Sequence, residues 1–312
     1  MTRYKIIANP AAGGGAGARA IPRIARLLDE HGLDFDVVRT ERPWHAAELA
    51  KEAAVAGCDV VVAAGGDGTA NEVLNGLMEA KLAGKHSFAM GILSVGRGND
   101  FAHGVGVPYE LERACQVLAG DHRRLIDVGR VVGGLYPEGR YFGNCVGVGF
   151  DAIGTIEVAK LPRLGGFLGY LIAVLKTVFL YYKAPVSTVE YDGQTLTQPS
   201  LMISIMNGRR LGGGFRMAPE AELDDGLFDL CIAHEVSRAR IFGLIPHFLR
   251  GTQATQAEIT TGRAAHISIT ALEGSLPAQT DGEILCIDGH SLEIELLPRQ
   301  VQIVCQAPEG TQ

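Results

Sequence analysis

Gly57-Cys58-Asp59-Val60-Val61-Val62-Ala63-Ala64-Gly65-Gly66-Asp67-Gly68-Thr69-Ala70-Asn71-Glu72-Val73 is an apolar run that stops at a pair of glycines. Three adjacent valines without polar alternation read as a strand buried on both faces, as in a parallel sheet. The strand therefore delivers a loop at its carboxyl end. Asn71, Glu72, Val73, Leu74, Leu77 and Met78 then fall at helical spacing, which predicts a helix over 71–80. Gly65 to Thr69 become a strand-to-helix turn with outward backbone N–H groups, the kind of turn that binds phosphate. Asp67 inside it would repel bare phosphate but could hold a phosphate-bound magnesium ion or orient a hydroxyl. The plainer alternative is an Asp-Gly turn in which Thr69 or Asp67 only caps the helix.

The same alternation extends outward from this stretch. Residues 4–8 read as a first strand, followed by the glycine-rich Asn9-Pro10-Ala11-Ala12-Gly13-Gly14-Gly15-Ala16-Gly17 and a helix over 18–31. Helices over 45–56 and 110–119 and strands over 35–38 and 88–93 complete an α/β pattern, so the sheet should be parallel and doubly wound, a Rossmann-like nucleotide-binding domain. Gly13-x-Gly15-x-x-Ala18 also satisfies a dinucleotide fingerprint. The second strand, however, ends in Arg39-Thr40 rather than in an acid, which counts against nicotinamide cofactors. Near Arg124-Leu125-Ile126-Asp127-Val128 the period changes to alternation, and short strands over 141–149, 186–191, 200–206, 227–233, 265–270, 284–287, 291–297 and 301–305 predict a C-terminal β-sandwich. The expected division is 1–128, 129–300, and a tail 301–312 returning to the first domain. Two helical segments, 151–182 and 238–249, interrupt the strands.

The 312 residues carry a formal charge of −7 and no Lys/Arg block, which excludes a nucleic-acid partner. Six cysteines lie scattered with no C-x-x-C pair, consistent with reduced thiols in a cytoplasmic protein. The amino terminus passes straight into a strand, with no secretory h-region. The apolar stretch 168–182 is too short to span a bilayer and carries Lys176. Leu164, Phe167, Leu168, Leu171, Leu175, Val178 and Phe179 share one helical face, with Arg163 and Lys183 at its ends, which predicts peripheral contact with anionic lipid.

Four further segments bear chemistry: Asn9-Pro10-x-x-Gly13, Gly96-Arg97-Gly98-Asn99-Asp100-Phe101-Ala102, Pro219 to Asp229 with its Asp224-Asp225-Gly226-Leu227, and Asp281-Gly282-Glu283. Together with Gly65-Gly66-Asp67-Gly68-Thr69, and in this order, they resemble the bacterial diacylglycerol kinase and sphingosine kinase-like lipid kinase family over nearly the whole chain. Ala12, Gly14 and Arg97 depart from that pattern, where Ser, a basic residue and Thr or Ser are usual. The resemblance implies transfer of the ATP γ-phosphate to a lipid hydroxyl, most simply diacylglycerol, at a membrane surface. Nucleotide contacts are expected from Asn9, Pro10, Gly13, Thr40, Gly65, Gly66, Asp67, Gly68, Thr69, Asn71, Arg97 and Asn99. Magnesium is expected on the Asp225 side chain with the carbonyls of Glu222 and Leu227, and Asp67, Asp100 and Asp127 form a supporting acid network. Asp281 and Glu283 jointly carry the catalytic carboxylate; on an extended segment they point the same way, whereas a turn at Gly282 separates them. An NAD kinase-like enzyme acting on a soluble substrate, or a catalytically silent nucleotide-binding regulator, stands as the alternative, and self-association as a homodimer is left open.

Overall fold

The computed structural model describes residues 2–96, 98–159, 166–180 and 184–307. Expectations placed on Arg97, Arg163, Leu164 and Lys183 lie outside the described residues. The chain divides into two compact units, Met1–Ile126 with Arg299–Gln312, and Asp127–Pro298.

The first unit alternates β1 (Arg3–Ala8), α1 (Ala12–Glu30), β2 (Asp34–Arg39), α2 (His45–Val55), β3 (Val60–Gly65), α3 (Asp67–Leu82), β4 (Ala89–Ser94), α4 (Asp100–Gly104) and α5 (Leu111–Gly120). The strands run parallel in the order β2-β1-β3-β4. Gln302 and Ile303, near the end of the chain, add a short parallel pairing beside Ala89 and Met90. Every residue of β3 is buried, as its valine run requires when helices cover both faces. Two helix starts differ from expectation. α3 begins at Asp67, not at Asn71, because Gly66 in extended conformation already ends the strand. α1 is counted from Ala12, but Gly13, Gly14 and Gly15 take φ of 59, 67 and 92°, so the glycine tract winds as a loop before the regular helix.

The second unit follows through β5 (Arg123–Gly133), β6 (Tyr136–Phe142), β7 (Cys145–Gly149), α6 (Phe150–Ala159), α7 (Gly166–Leu180), β8 (Val186–Tyr191), β9 (Gln194–Met206), β10 (Phe228–His234), α8 (Arg238–Arg250), β11 (Ile259–Ala264), β12 (His266–Glu273), β13 (Leu276–Thr280), β14 (Glu283–Gly289) and β15 (Ser291–Val304). Within the helical segment expected over 151–182, the described residues form α6 and α7. Pairing within this unit is antiparallel. β9 is long enough to serve both layers: Gln194–Pro199 pair with β8, and Met202–Met206 pair with β7 on one side and β10 on the other. Its sheet is buried on both faces. Phe228, Leu230 and Ile232 of β10 join Phe142, Ile203 and Ile205 in the sandwich core, while Cys231 and Ala233 turn to the opposite face with Tyr170, Val174, Leu244 and Phe248 of α7 and α8.

α2 and α3 pack through small residues. The buried face of α2 is Ala46, Ala47, Ala50, Ala53 and Ala54, and a Cβ on Gly76 of α3 would lie 2.1 Å from the Ala47 carbonyl oxygen. Gly76→Ala should therefore force the helices apart and cost about 1–3 kcal/mol in urea denaturation. Gly120→Ala, whose Cβ would meet nothing within 4 Å, should be neutral or slightly stabilising in the same measurement.

Candidate active site

In the first unit the carboxyl ends of β1, β3 and β4 converge, the position where open parallel sheets bind ligands. The Asn9 N–H donates to the Ala64 carbonyl at 3.0 Å, and Val95 N–H to that of Gly65 at 2.8 Å, extending the ladders past the strand ends. The Asn9 side chain then ties two loops. Its Nδ2 donates to Thr69 Oγ1 at 3.0 Å, and its Oδ1 accepts from the Ala11 N–H at 3.0 Å. The loops touch backbone to backbone: a Cβ on Gly96 would sit 2.3 Å from Gly66 Cα, one on Gly13 2.7 Å from the Val95 oxygen, and one on Gly17 1.9 Å from the Asn9 oxygen. Thr40 joins the same edge, its N–H donating to the Ala8 carbonyl at 2.9 Å.

Asn9, Pro10, Gly13, Thr40, Gly65, Gly66, Asp67, Gly68, Thr69 and Asn99 thus belong to one edge, capped by the amino terminus of the 16-residue α3. Asn71 is different. It lies inside α3 with 1% of its surface exposed, and its Oδ1 accepts from Asn75 Nδ2 at 3.2 Å. Asp67 and Asp100 approach across Gly98: a Cβ there would lie 2.8 Å from Asp67 Oδ2 and 3.8 Å from Asp100 Oδ2. Asp67 Oδ1 meanwhile accepts from the Phe101 N–H at 3.1 Å, and Asn99, with φ of 55°, makes the tight turn into α4. Two hard carboxylates facing a cradle kept open by a missing side chain suit a magnesium ion carried by phosphate.

In the second unit the Asp281-Gly282-Glu283 segment is a turn, with φ of 47° at Asp281 and 87° at Gly282. The turn sends the two acids apart. Asp281 points inward, 7% exposed; its Oδ1 accepts from the N–H groups of Asn144 and Cys145 at 3.0 and 2.9 Å, and its Oδ2 from that of Gly143 at 2.8 Å. Glu283 opens β14 with an exposed side chain. Asp281 is therefore a clamp on the 143–145 loop, and Glu283 is the acid presented to solvent.

Asp127, fully buried, does similar work on another loop. Its Oδ2 accepts from the Gly226 N–H at 2.7 Å, and its own N–H donates to the Leu223 carbonyl at 2.6 Å. The Asp225 carboxylate is taken by the Arg263 guanidinium, which also reaches Asp229 at 3.6 Å, and Asp225 Oδ1 accepts from the Leu227 N–H at 3.0 Å. Burial pushes the Asp229 carboxyl above its ordinary pKa, and Arg263 offsets that. Glu222 is exposed, and among the described residues no three His, Cys, Asp or Glu side chains stand together as a metal site. As folded, the Asp225 loop does not fit a cation, because a guanidinium already holds the charge.

Three buried polar residues carried no signal in the sequence. Asn207 Nδ2 donates to the carbonyls of Asp127 and Gly143 at 3.1 and 2.9 Å, and Asn144 Nδ2 to that of Arg210 at 3.1 Å, binding the loops that hold Asp281. Asp151, at the start of α6, is 3% exposed and accepts from Tyr170 Oη at 3.1 Å and Ser204 Oγ at 3.4 Å. Burial pushes its pKa up from 3.8 to about 6. Because the folded value is the higher one, this group weakens the fold as pH rises from about 4 to about 6. Asp151 and Tyr170 form the polar spot in a cavity of about 60 Å³ otherwise walled by apolar side chains such as Phe150, Val174, Met202, Phe215 and Leu244.

The metal question has a direct test without nucleotide. Arg263→Ala should lower the melting temperature by about 2–4 °C and make the protein responsive to magnesium, whereas the wild type should melt alike in magnesium and in EDTA. Thermal unfolding of both proteins in the two buffers measures it; a wild type stabilised by magnesium, with that stabilisation lost in Asp225→Ala and kept in Asp100→Ala, would place the cation on Asp225 after all.

Residues 3–131 match the family described as diacylglycerol kinase catalytic domain, and residues 144–305 match the YegS C-terminal NAD kinase beta sandwich-like domain. The chain is 32% identical over 286 residues to the diacylglycerol kinase of Bacillus subtilis (strain 168), covering 91% of this chain and 90% of that one. Against the diacylglycerol kinase of Staphylococcus aureus (strain Newman) identity is 28% over 282 residues, covering 90% and 86%. Among solved structures, a diacylglycerol kinase from Bacillus anthracis str. Sterne superposes with a TM-score of 0.75 at 23% identity, over 98% of this chain and 97% of that chain. An NAD kinase from Archaeoglobus fulgidus in complex with ATP superposes with a TM-score of 0.52 at 13% identity, over 97% and 93%, a likeness of fold alone. With both family matches in sequence and a relative above 30% identity along nine-tenths of its length, the chain belongs to the diacylglycerol kinase family of kinases.

Proposed function

We propose that this chain is a magnesium- and ATP-dependent lipid kinase that converts diacylglycerol to phosphatidic acid, working in the cytoplasm at a membrane surface. The observation that carries the reading is the convergence of Asn9, Gly65 to Thr69 and Gly96 to Asp100 on one sheet edge, with two carboxylates over Gly98. First-turn amides of α3 and the glycine loops hold the triphosphate without side chains in the way. Asp67 and Asp100 would hold magnesium, which supplies neutralisation of phosphate charge as the bond to the leaving oxygen lengthens.

In the reaction the lipid hydroxyl oxygen forms a bond to the γ-phosphorus, the bond from that phosphorus to the bridging oxygen breaks, and ADP leaves. The hydroxyl proton goes to Glu283. Asp281, committed to three backbone N–H groups, holds the turn and is a poor proton acceptor. The lipid acceptor is supported by relatives whose names specify diacylglycerol. NAD kinase-like chemistry rests on the fold likeness alone.

Transfer from labelled ATP to diacylglycerol in mixed micelles, with NAD offered in parallel, tests the reading. Lipid should be labelled and NAD should not; labelled NAD with unlabelled lipid would overturn it. Glu283→Gln should lose roughly two to four decades of turnover yet keep its stabilisation by ATP. Gly66→Val should lose that stabilisation. Asp281→Asn should instead cost stability, because its amide sets a donor against backbone donors.

Membrane contact rests on a surface that differs from the expected one. Val178, expected on the lipid-facing side, is fully buried, and Leu171 is half-buried. Phe167, Leu168, Leu175 and Phe179 are the exposed apolar residues of α7 among those described, and Phe179 lies against the exposed Phe242 of α8 with ring centres 6.0 Å apart. Arg238, exposed beside them, donates to the Phe179 carbonyl and suits an anionic headgroup. Wild-type protein should float with phosphatidylglycerol-containing vesicles and Phe179→Glu should not. Equal flotation of both would remove the membrane from this face.

A further inference from the structure

Trp44 is the chain's single tryptophan, and it sits where the backbone least suits one. It precedes α2 as the N-cap with φ 66° and ψ 0°, the left-handed conformation, and its side chain caps no N–H. Asn99, Asp121, Asp192 and Asp281 share that backbone region, but their short polar side chains tolerate it, whereas a bulky residue takes it against its steric preference. An indole is equally unsuited to N-capping. The capping is done from another helix: Glu72 Oε2 of α3 accepts from the Ala46 N–H at 3.1 Å. A large residue that matches neither its dihedral angles nor its place in the helix is the kind of outlier that marks a functional position.

The surrounding contacts fix where Trp44 stands. Thr40 ends on the edge that carries the glycine loops, its N–H donating to the Ala8 carbonyl at 2.9 Å. From there to α2 the chain is held by the Glu41 N–H on His45 Nδ1 at 3.1 Å and by the Arg42–Glu48 pair. Glu72 lies about one helical turn beyond Thr69, so its bond to Ala46 ties the start of α2 to the helix that opens with the phosphate loop. β2 runs beside β1 at a strand spacing of about 4.8 Å. A nucleotide whose triphosphate lies over the ends of β1, β3 and β4 has two directions along the edge for its base. Past β4 the chain enters α4, where Phe101 and Ala102 are buried in the core. Past β1 it meets Trp44, which is half-buried and keeps part of its surface in solvent.

We propose that Trp44 is the platform on which the nucleotide base stacks, and that it gives the site its preference for a purine. The base in question is the adenine of the ATP-dependent reaction proposed above, on which this role rests. An indole offers a broad, rigid π-face, and stacking needs no hydrogen-bond partner on the protein. A two-ring purine covers more of that face than a one-ring pyrimidine. Glycine would relax the left-handed backbone at this position but would present nothing to the base.

Because the chain has one tryptophan, its intrinsic emission reports on this position alone. Titration with magnesium-ATP should quench or shift that emission, and magnesium-tripolyphosphate, which has the phosphates and no base, should leave it unchanged, while both ligands raise the melting temperature. Trp44→Gly should melt at the wild-type temperature or higher without ligand, since the strained residue is relaxed. By calorimetry it should bind ATP about tenfold more weakly, bind tripolyphosphate within about twofold of the wild type, and lose the wild-type preference for ATP over CTP. Trp44→Phe should keep part of the ATP affinity. Emission unmoved by an ATP that nonetheless stabilises the protein overturns the proposal, as does a Trp44→Gly protein that weakens ATP and tripolyphosphate equally. A wild type stabilised by neither ligand removes the nucleotide reading itself, and the stacking role with it.

Discussion

The approach of Gly66 to Gly96 is the constraint on which the first unit's chemistry depends. Adjacent parallel strands lie about 4.8 Å apart, and side chains on the loops leaving them would normally wedge those loops apart. Here neither loop has one at the point of contact, and the ladder runs one step further, from Val95 N–H to the Gly65 carbonyl. Both segments consequently leave the sheet together. Asp67, in the first turn of one helix, and Asp100, in the first turn of another, come to face the same gap over Gly98. A β-carbon at position 96 would push apart the two loops that carry these acids.

The second unit solves a different problem, that of holding an exposed acid still. It does so by burying other carboxylates and satisfying them with N–H and O–H donors. Asp281 takes three backbone donors, Asp127 takes Gly226, and Asp151 takes Tyr170 and Ser204. Hydrogen bonds to a charged acceptor contribute about 1.5–3 kcal/mol each, which offsets desolvation when several converge on one group. The arrangement also fixes direction, because each oxygen has its donor and a shifted loop would leave one unmet. The turn that carries Glu283 gains a defined position from buried neighbours.

How much of this was legible in the sequence depended on whether the signal was local. The parallel sheet and its glycine turns were readable, since a valine run that stops at Gly65-Gly66 has few other interpretations. The sandwich was readable as a class, but β11 and β13 were not, because Ile259–Ala264 carries a glycine and an arginine and Leu276–Thr280 has a proline as its second residue. Asn144, Asn207 and Asp151 were invisible for a stronger reason. Each is defined by partners roughly 20 to 140 positions away in the chain, and nothing beside them in sequence announces the contact. Asp225 shows the same limit: its Asp-Gly motif is local, while Arg263, which pairs with its carboxylate, arrives from a strand 38 residues later.

α7 shows the same limit in a single helix. Its residues are apolar nearly all round, so no polar stripe marks which side faces the protein. Neighbours decide instead. Tyr170, Val174 and Val178, spaced by one turn, fall on the β-sheet side and complete the core there, whereas Leu168, Leu175 and Phe179 fall opposite and stay 59%, 37% and 63% exposed. Burying a side chain of that size is worth about 1.5–3 kcal/mol, so the outward three forgo a gain that folding alone would have collected. Their apolar character therefore needs a cause outside the fold of this unit, and that cause has to be sought in what the outer face of α7 meets.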